Sequence, residues 1–271
     1  MPARVSELNV RLVGDAAGQE FDAIRTALER DVAGAALDFY QDLPACLAAD
    51  GTRPPDLVVM LQNHPDEYVT GDVAALMSRF PLARLICCYD AWCDSDGRTR
   101  SIWPLAARTP IWNALGRIER ELTLVLGQVR DRPLPLTASR AEIFEAEYLP
   151  PRRLEPAQGL IGVVSRDHAW QKTFELLLAA AGQNVAVNVT SGDSRGVRLL
   201  LWDADPWCED QAMSLRHMRS RYPHADIAAC VGFPRRDLAD ELRALGVARV
   251  VCKLAPISEI VRQLSAGAAA S

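Results

Sequence analysis

Two charged residues stand at the ends of two apolar segments in the C-terminal half of the chain. Asp203 follows the apolar run that begins at Gly196, and Lys253 follows a similar run fifty residues later. A short, nearly continuous apolar run is typical of a central strand in a parallel sheet, where both faces are buried. Open α/β sheets place their functional groups just outside the carboxyl ends of such strands. We therefore expect the carboxylate and the ammonium group at one edge of a sheet, as a structural ion pair or as a site for an anion or small ligand.

Alternating strand and helix patterns surround these segments and occur twice along the chain. Short apolar runs predict strands at residues 9–13, 35–40, 56–61, 84–89 and 100–104, and again at 160–164, 185–189, 197–202, 226–231 and 250–252. Between the two sets lies a proline-rich segment in which Ser139 and Glu142 form a capping-box pattern, which predicts one short helix. The sequence therefore predicts two domains, 1–127 and 159–271, joined by a connector over 128–158, each domain being a doubly wound parallel sheet.

An internal repeat supports this division. Leu57 begins an apolar run that overlies the run beginning at Leu199, 142 residues later. The aromatic-proline pair at Phe80 overlies the pair at Tyr222 at the same offset. One offset held over two successive elements favours a duplicated domain.

Composition excludes several classes of protein. The chain has 271 residues, 49% hydrophobic and 24% charged, which is typical of a globular protein of one or two domains. A net charge of −5 does not favour a nucleic-acid partner. No apolar stretch approaches eighteen residues and no signal-peptide pattern is present, and the seven cysteines contain no C-x-x-C pair. We expect a cytoplasmic protein with buried thiols and no membrane contact. Without a G-x-G-x-x-G, Walker A or G-x-S-x-G motif, nucleotide binding and hydrolase chemistry lack support.

The position of Asp203 and Lys253 resembles the receiver domain of two-component response regulators. In that family an acidic pair after the first strand binds Mg²⁺, an Asp after the third accepts phosphate, a Thr or Ser ends the fourth, and a Lys ends the fifth. Hard oxygen ligands suit Mg²⁺, which neutralises the attacking carboxylate and the incoming phosphoryl group. The lysine and the hydroxyl then bind the phosphoryl oxygens.

The second half retains part of this set. The resemblance implies that Asp203 is at the phosphoacceptor position and Lys253 at the lysine position. Ser165 and Arg166 stand where the acidic pair belongs, and Asp167 comes one residue late. The hydroxyl position falls on Val231 or Cys230, and Leu254 replaces the proline that normally follows the lysine. Because a guanidinium repels Mg²⁺ and carries a fixed charge, Arg166 is expected to pair with Asp203 and to complete an ion cluster with Lys253.

The first half departs further from the family. Asp15 matches one member of the acidic pair, and Gly14 replaces the other. The phosphoacceptor position falls on Leu61 with Gln62 beside it, Tyr89 stands at the hydroxyl position, and Trp103-Pro104 stands where Lys-Pro belongs. Phosphorylation by the family mechanism is not expected there.

The resemblance implies an α/β protein of two tandem flavodoxin-like, receiver-like domains, each with a five-stranded parallel sheet. We expect a signalling protein that acts without phosphorylation, by forming a homodimer or docking a protein partner, with no enzyme activity, metal or cofactor. One alternative is a sensor that binds a small ligand or anion between two Rossmann-like domains. Another is a response regulator still phosphorylated on Asp203. A third is an enzyme that uses Asp203 and Lys253, for which the sequence offers no further nucleophile or base.

Overall fold

The computed structural model describes residues 8–49, 53–128, 133–147, 159–186 and 196–265. The chain divides into two compact units, Met1–Glu147 and Tyr148–Ser271. The helix predicted inside the connector belongs to the first unit. It is held there by a hydrogen bond of 2.6 Å from Arg120 Nη1 to the carbonyl of Ala146, and by an ion pair of 3.7 Å between Arg117 and Glu147.

The first unit is a parallel sheet in the order β2-β1-β3-β4-β5. Its strands are β1 (Asn9–Val13), β2 (Ala36–Tyr40), β3 (Leu57–Gln62), β4 (Arg84–Tyr89) and β5 (Arg108–Pro110). Its helices are α1 (Gln19–Asp31), α2 (Leu43–Ala48), α3 (Thr70–Arg79), α4 (Asp96–Thr99), α5 (Ala114–Val125) and α6 (Arg140–Glu147). The capping box predicted for α6 is present, because the Ser139 amide donates to Glu142 Oε2 at 2.7 Å and the Glu142 amide donates to Ser139 Oγ at 3.3 Å.

Both faces of the first sheet are covered by helices. Side chains of α1 and α5 form one core with alternate residues of β1, β3 and β4, including Phe21, Ile24, Leu28, Ile118, Leu122, Val10, Val59 and Ile86. Side chains of α2 and α3 form a second core with the intervening strand residues, including Leu43, Cys46, Val73, Leu76, Val58, Met60 and Cys87. Strands buried on both faces explain the continuous apolar runs in the sequence. Among the described residues, no helix is long and apolar enough to cross a membrane.

The second unit contains a parallel sheet in the order β6-β7-β8-β9. Its strands are β6 (Leu160–Val164), β7 (Val197–Asp203), β8 (Asp226–Val231) and β9 (Arg249–Cys252). Its helices are α7 (His168–Ala180), α8 (Glu209–Arg221), α9 (Arg236–Ala244) and α10 (Ile257–Ser265). Five strands were expected. At the place of the strand predicted over 185–189, Val185 makes one parallel bridge to Ile161, and residues 187–189 lie outside the described part of the chain. The two-sheet α/β architecture is confirmed.

The two sheets share one register. Leu57 pairs with Arg84 in the first unit, and Leu199 pairs with Asp226 in the second. The last strand pairs are equivalent too, since Tyr89 pairs with Pro110 in the first unit and Val231 pairs with Cys252 in the second. Every residue of each first-unit pair lies 142 positions before its counterpart, so the offset read from the sequence extends over three adjacent strands of each sheet.

One predicted strand of the first unit is wrong. The fifth strand is β5, whereas residues 100–104 precede it as part of a loop. The apolar character of that loop serves the core, because the buried Trp103 ring packs edge-on against Tyr68 with 5.3 Å between the ring centroids. A three-residue strand offers too short a pattern to be recognised from the sequence. The expectation of buried thiols holds for six of the seven free cysteines, and Cys208 is exposed.

Candidate functional site

Asp203 and Lys253 meet at the carboxyl edge of the second sheet. Asp203 ends β7, and Lys253 directly follows β9, where its amide donates to the carbonyl of Val231 at 2.8 Å. The ammonium group of Lys253 lies 2.5 Å from Asp203 Oδ1. Asp203 is buried and only 18% of the Lys253 side chain is exposed. The structure therefore places these two residues together, as the strand-end argument predicts.

The Ser165 hydroxyl binds the second oxygen of the Asp203 carboxylate. Its hydroxyl donates a hydrogen bond to Asp203 Oδ2 at 2.7 Å. The same hydroxyl oxygen accepts from the amide of Asp167 at 2.9 Å, which fixes the turn after β6. Asp167 faces away from this cluster and caps α7, where its carboxylate accepts from the amides of Ala169 and Trp170. Ser165, one of the two residues at the expected metal-binding position, therefore stabilises Asp203 directly. Asp167, which follows that position by one residue, caps a helix.

Asp205 is the member of the cluster that the sequence did not reveal. Its carboxylate Oδ2 lies 3.0 Å from Lys253 Nζ and accepts a hydrogen bond of 2.6 Å from the amide of Gly232, the residue after β8. Its own amide donates to Asp203 Oδ1 at 3.1 Å. In the sequence, the Asp203-Ala-Asp205 pattern could suggest metal binding, but such a pattern is frequent and favours a polar turn at the strand end. One lysine is thus shared by two carboxylates.

Arg166 does not pair with Asp203, which corrects the expected cluster. Its guanidinium is exposed and donates to Ser214 Oγ on α8 at 3.3 Å. The physical reason is that Lys253 and Ser165 already satisfy the Asp203 carboxylate within the buried edge. A strongly charged guanidinium gains more from water than from a carboxylate that already has its partners. The cluster therefore consists of Asp203, Asp205, Lys253 and Ser165.

The surroundings keep Lys253 charged. Burial by itself lowers the pKa of Lys253, but hydrogen bonds and charge attraction from Asp203 and Asp205 outweigh it, so the pKa lies above the ordinary lysine value. The ammonium also lies 5.2 Å from the centroid of the Trp170 ring, where the negative face of the indole favours a cation. Lys253 is a permanent cation at neutral pH.

The remaining receiver-like positions of the second unit carry apolar residues. Val231 and Cys230 end β8 and are both buried, and burial raises the pKa of the Cys230 thiol far above its usual range. Neither supplies a hydroxyl group. Leu254, in the place of the proline, exposes 64% of its surface. The edge therefore presents an ion cluster beside an apolar side chain.

The first unit does not assemble a comparable cluster. Asp15 is exposed, and its carboxylate accepts from the nearby amide of Ala17 at 2.8 Å. Gln62 is buried and donates to Asp96 Oδ2 at 3.0 Å, whereas the Tyr89 hydroxyl donates to Asp94 Oδ1 at 3.4 Å. Gln62 and Tyr89 are register partners, yet their side chains have different polar partners, and no hydrogen bond joins either one to Asp15 within the described residues.

In the first unit, the position equivalent to Lys253 also differs from the one expected from the sequence. It was expected at Trp103, but the shared register aligns Pro110 with Cys252. The position that follows β5 is therefore Ile111, which is apolar. Among the described residues of both units, no group of three His, Cys, Asp or Glu side chains could hold a metal ion.

Gly14 shows why the first unit cannot carry the missing acid. Its φ of +115° lies in a region that side-chain-bearing residues rarely adopt. A Cβ atom there would lie 2.6 Å from the carbonyl oxygen of Leu61 and 2.9 Å from the hydroxyl of Tyr68. That hydroxyl already donates to the same carbonyl at 2.6 Å, so neither atom can move aside without losing a buried hydrogen bond.

Restoring the acid by Gly14→Asp is expected to lower the free energy of unfolding by at least about 1 kcal/mol. Gly71→Ala is the matched control, because Gly71 lies in α3, has an ordinary φ and has no atom within 4 Å of an added Cβ. It should change stability by less than about 1 kcal/mol, and in the stabilising direction. Urea unfolding followed by circular dichroism measures both, and equal stability of the Gly14→Asp variant and wild type would show that the turn is not strained as described.

Comparisons with known proteins give structural similarities only. No protein-family model and no curated protein matches the chain. A crystal structure of a two-component system response regulator/GGDEF domain protein is 16% identical, with 97% of this chain and 99% of that chain covered and a TM-score of 0.36. The RcsC C-terminus of E. coli, with its linker region and phosphoreceiver domain, is 12% identical, with 99% and 95% covered and a TM-score of 0.33. The tagatose-6-phosphate ketose/aldose isomerase of Escherichia coli is 11% identical, with 94% and 78% covered and a TM-score of 0.25. At these values the similarities assign no function to this chain.

Proposed function

We propose that this chain is a signalling regulator made of two receiver-like units that acts through protein contacts and without phosphoryl transfer. The observation that carries the proposal is the closed cluster of Asp203, Asp205, Lys253 and Ser165 at the carboxyl edge of the second sheet. Every group that would take part in phosphoryl chemistry there already has a partner within the protein. The proposal therefore assigns no enzyme activity, metal or cofactor to the chain.

The cluster offers no binding site for the metal that phosphoryl transfer needs. Mg²⁺ prefers a near-octahedral set of oxygen ligands, and receiver-type chemistry uses it to bring the carboxylate and the phosphoryl group together. At the corresponding turn this chain has Ser165, whose hydroxyl is engaged by Asp203 and by the amide of Asp167, and the exposed cation Arg166. Without two free carboxylates beside Asp203, the charge of an incoming phosphoryl group would not be neutralised by a metal.

The position that would bind a phosphoryl oxygen is occupied by a carboxylate of the chain itself. A lysine ammonium and a backbone amide at neighbouring strand ends form a site for anionic oxygens. In this protein the Lys253 ammonium and the Gly232 amide both bind the same oxygen, Oδ2 of Asp205. A carboxylate of the protein itself therefore takes the place that a phosphoryl oxygen would need. The proposal treats this unit as held permanently in one state by Asp205.

The retained Asp203 and Lys253 pair favours a second candidate, a response regulator still phosphorylated on Asp203. For that reaction Lys253 would have to leave Asp205, and a metal would have to bind without the two carboxylates. Intact-mass spectrometry after incubation with Mg²⁺ and acetyl phosphate separates the two candidates.

The proposed contact surface lies beside the cluster. Phe233, two residues after β8, and Leu254, two residues after β9, expose 47% and 64% of their surfaces. The last residues of these two strands are register partners, so the two apolar side chains follow neighbouring strand ends. Exposed apolar groups next to charged ones are typical of interaction sites. We propose a second copy of the chain or another protein as the partner, rather than a nucleic acid, since the net charge is −5. A cytoplasmic location fits the seven free cysteines.

If the partner is a second copy, Leu254→Glu is expected to raise the dimer dissociation constant at least about tenfold, because a charge would be buried at the contact. Leu82→Glu is the control, since Leu82 is 94% exposed but belongs to the first unit. Sedimentation velocity over a range of concentrations measures both variants. A wild-type chain that stays monomeric would contradict the homodimer, and an unchanged constant for Leu254→Glu would contradict the proposed surface.

A further inference from the structure

The second unit has a shorter connection than the first on one side of its sheet. Leu37 pairs with Val10, and the equivalent bridge of the second unit joins Val185 to Ile161. From Leu37 to Leu57 the chain advances 20 positions, whereas from Val185 to the equivalent Leu199 it advances 14. The difference of six residues equals the length of α2. The second unit therefore has six residues fewer between these two strand positions, and residues 187–195 of its connection lie outside the described part of the chain.

In the first unit, α2 covers a specific apolar surface. Its buried side chains Leu43 and Cys46 belong to one core cluster with Met60 of β3 and Leu76 of α3. Beneath the helix the buried Arg11 side chain donates to the carbonyl of Cys46 at 3.3 Å. Its guanidinium also lies 4.8 Å from the centroid of the Phe80 ring. Helix, arginine and aromatic ring together fill the space above the sheet.

The same face of the second unit carries a cavity of about 540 Å³. Its lining includes Trp202, Met218 and Tyr222, which correspond at the 142-residue offset to Met60, Leu76 and Phe80 of the α2-covered surface. The residue equivalent to Arg11 is Gly162, because these two residues pair with equivalent positions of β3 and β7. Where the first unit has the buried Arg11 side chain, the second unit has a glycine, and its described residues on this face leave the cavity open.

Polar groups surround this apolar floor. Ser165 and Asp203 of the ion cluster line one part of the cavity, and Arg166, Arg221, His217 and Asp210 complete its charged and titratable lining. Asp203 is already neutralised by Lys253. Arg166 donates one hydrogen bond to Ser214 and forms no ion pair within the part of the chain that the structure describes. Two guanidinium groups thus face a single acid, Asp210, that is not part of the ion cluster.

We propose that this cavity is a binding site for a small molecule with a flat apolar body and one anionic group. Its volume lies within the range of small-molecule pockets, roughly 300–1,000 Å³, and it combines an apolar floor with polar groups that could orient a ligand. The body lies between Trp202, Met218 and the exposed Met213, where aromatic and thioether groups bind rings well. The anion pairs with Arg166, whose planar fork suits carboxylate, sulfonate or phosphate oxygens. This inference does not rest on the proposed signalling role.

The test uses two fluorescent probes that differ in one charge. 1-Anilinonaphthalene-8-sulfonate is a flat aromatic anion, and N-phenyl-1-naphthylamine is its neutral analogue. The full chain is expected to bind the anionic probe at one site. Arg166→Ala should weaken binding of the anionic probe at least about tenfold and leave the neutral probe nearly unchanged. Ser214→Phe, which fills the cavity from α8, should abolish binding of both probes.

Two further variants keep the test decisive. Arg98→Ala removes an exposed arginine of the first unit and should change neither affinity. Met213→Trp fills the cavity from an exposed helix position and replaces Ser214→Phe if circular dichroism shows that the latter is unfolded. Absence of binding, or equal affinity of wild type and the cavity-filling variant, would overturn the site. Equal loss of both probes in Arg166→Ala would overturn the anionic class of ligand.

Discussion

Replacing Glu121 by glutamine is expected to lower the free energy of unfolding of the first unit by about 3 kcal/mol or more. Glu121 is buried in α5, and its carboxylate binds two arginines. Arg84 Nε donates at 2.7 Å to one oxygen, and Arg117 Nε donates at 2.9 Å to the other. The Arg117 side chain is itself buried. Removing the negative charge would leave the buried Arg117 guanidinium with only its longer ion pair of 3.7 Å to Glu147, and such a loss costs far more than breaking a surface pair.

Urea unfolding of the full chain, followed by circular dichroism, measures this effect. Glu119→Gln is the matched control, because Glu119 lies two positions earlier on the same helix and is exposed. It should change stability by less than about 1 kcal/mol. If both variants lost the same small amount, the pair of arginines would not depend on Glu121. Because a chain of two compact units need not unfold in one transition, the transition of the first unit has to be assigned by its response to Gly14→Asp.

Replacing Lys253 by methionine is expected to destabilise the second unit by about 2 to 4 kcal/mol. Methionine retains most of the apolar volume but leaves Asp203 and Asp205 without the cation that they share. The pKa of Lys253 is raised, so the stabilisation is fully present at neutral pH. It is lost only as the pH rises through the raised value, above the ordinary pKa of lysine. The difference between wild type and the variant should therefore be constant from neutral to mildly alkaline pH.

The matched control is Lys172→Met, which removes a lysine with 69% of its side chain exposed and an ion pair of 3.4 Å to Glu175. Its effect should stay below about 1 kcal/mol. Combining Lys253→Met with Asp203→Asn should recover part of the loss, because the second change removes the unpaired buried charge. A Lys253→Met variant as stable as the control would mean that the cluster does not hold the carboxyl edge together.

Several features of this chain follow directly from its sequence. Continuous apolar runs bounded by glycine and proline predicted two parallel sheets, because strands buried on both faces have no alternating pattern. Asp203 and Lys253 could be brought together because parallel strands present their carboxyl ends at the same edge of a sheet. The offset between Leu57 and Leu199 favoured a duplicated domain, and the strand pairs of the two sheets have the same offset.

Other features depend on which side chains compete for the same partner in the folded chain. A sequence pattern does not show the outcome of that competition. Arg166 was expected to pair with Asp203, but a serine hydroxyl and a lysine ammonium bind the two oxygens of that carboxylate. Asp205 reaches Lys253 and the Gly232 amide only because of the turn that follows β7. The cavity beside α8 is lined by residues of β7, of α8 and of the turn after β6, which lie far apart in the sequence.

The second unit is expected not to accept a phosphoryl group, and intact-mass spectrometry measures this. Wild type and Asp203→Asn are incubated with Mg²⁺ and acetyl phosphate, and their masses are compared. No phosphoryl adduct is expected on either protein, because Asp205 occupies the anion site and the turn after β6 has no carboxylate pair for a metal. An adduct that forms on wild type and is absent from Asp203→Asn would contradict this expectation, and would identify the chain as a phosphorylated response regulator.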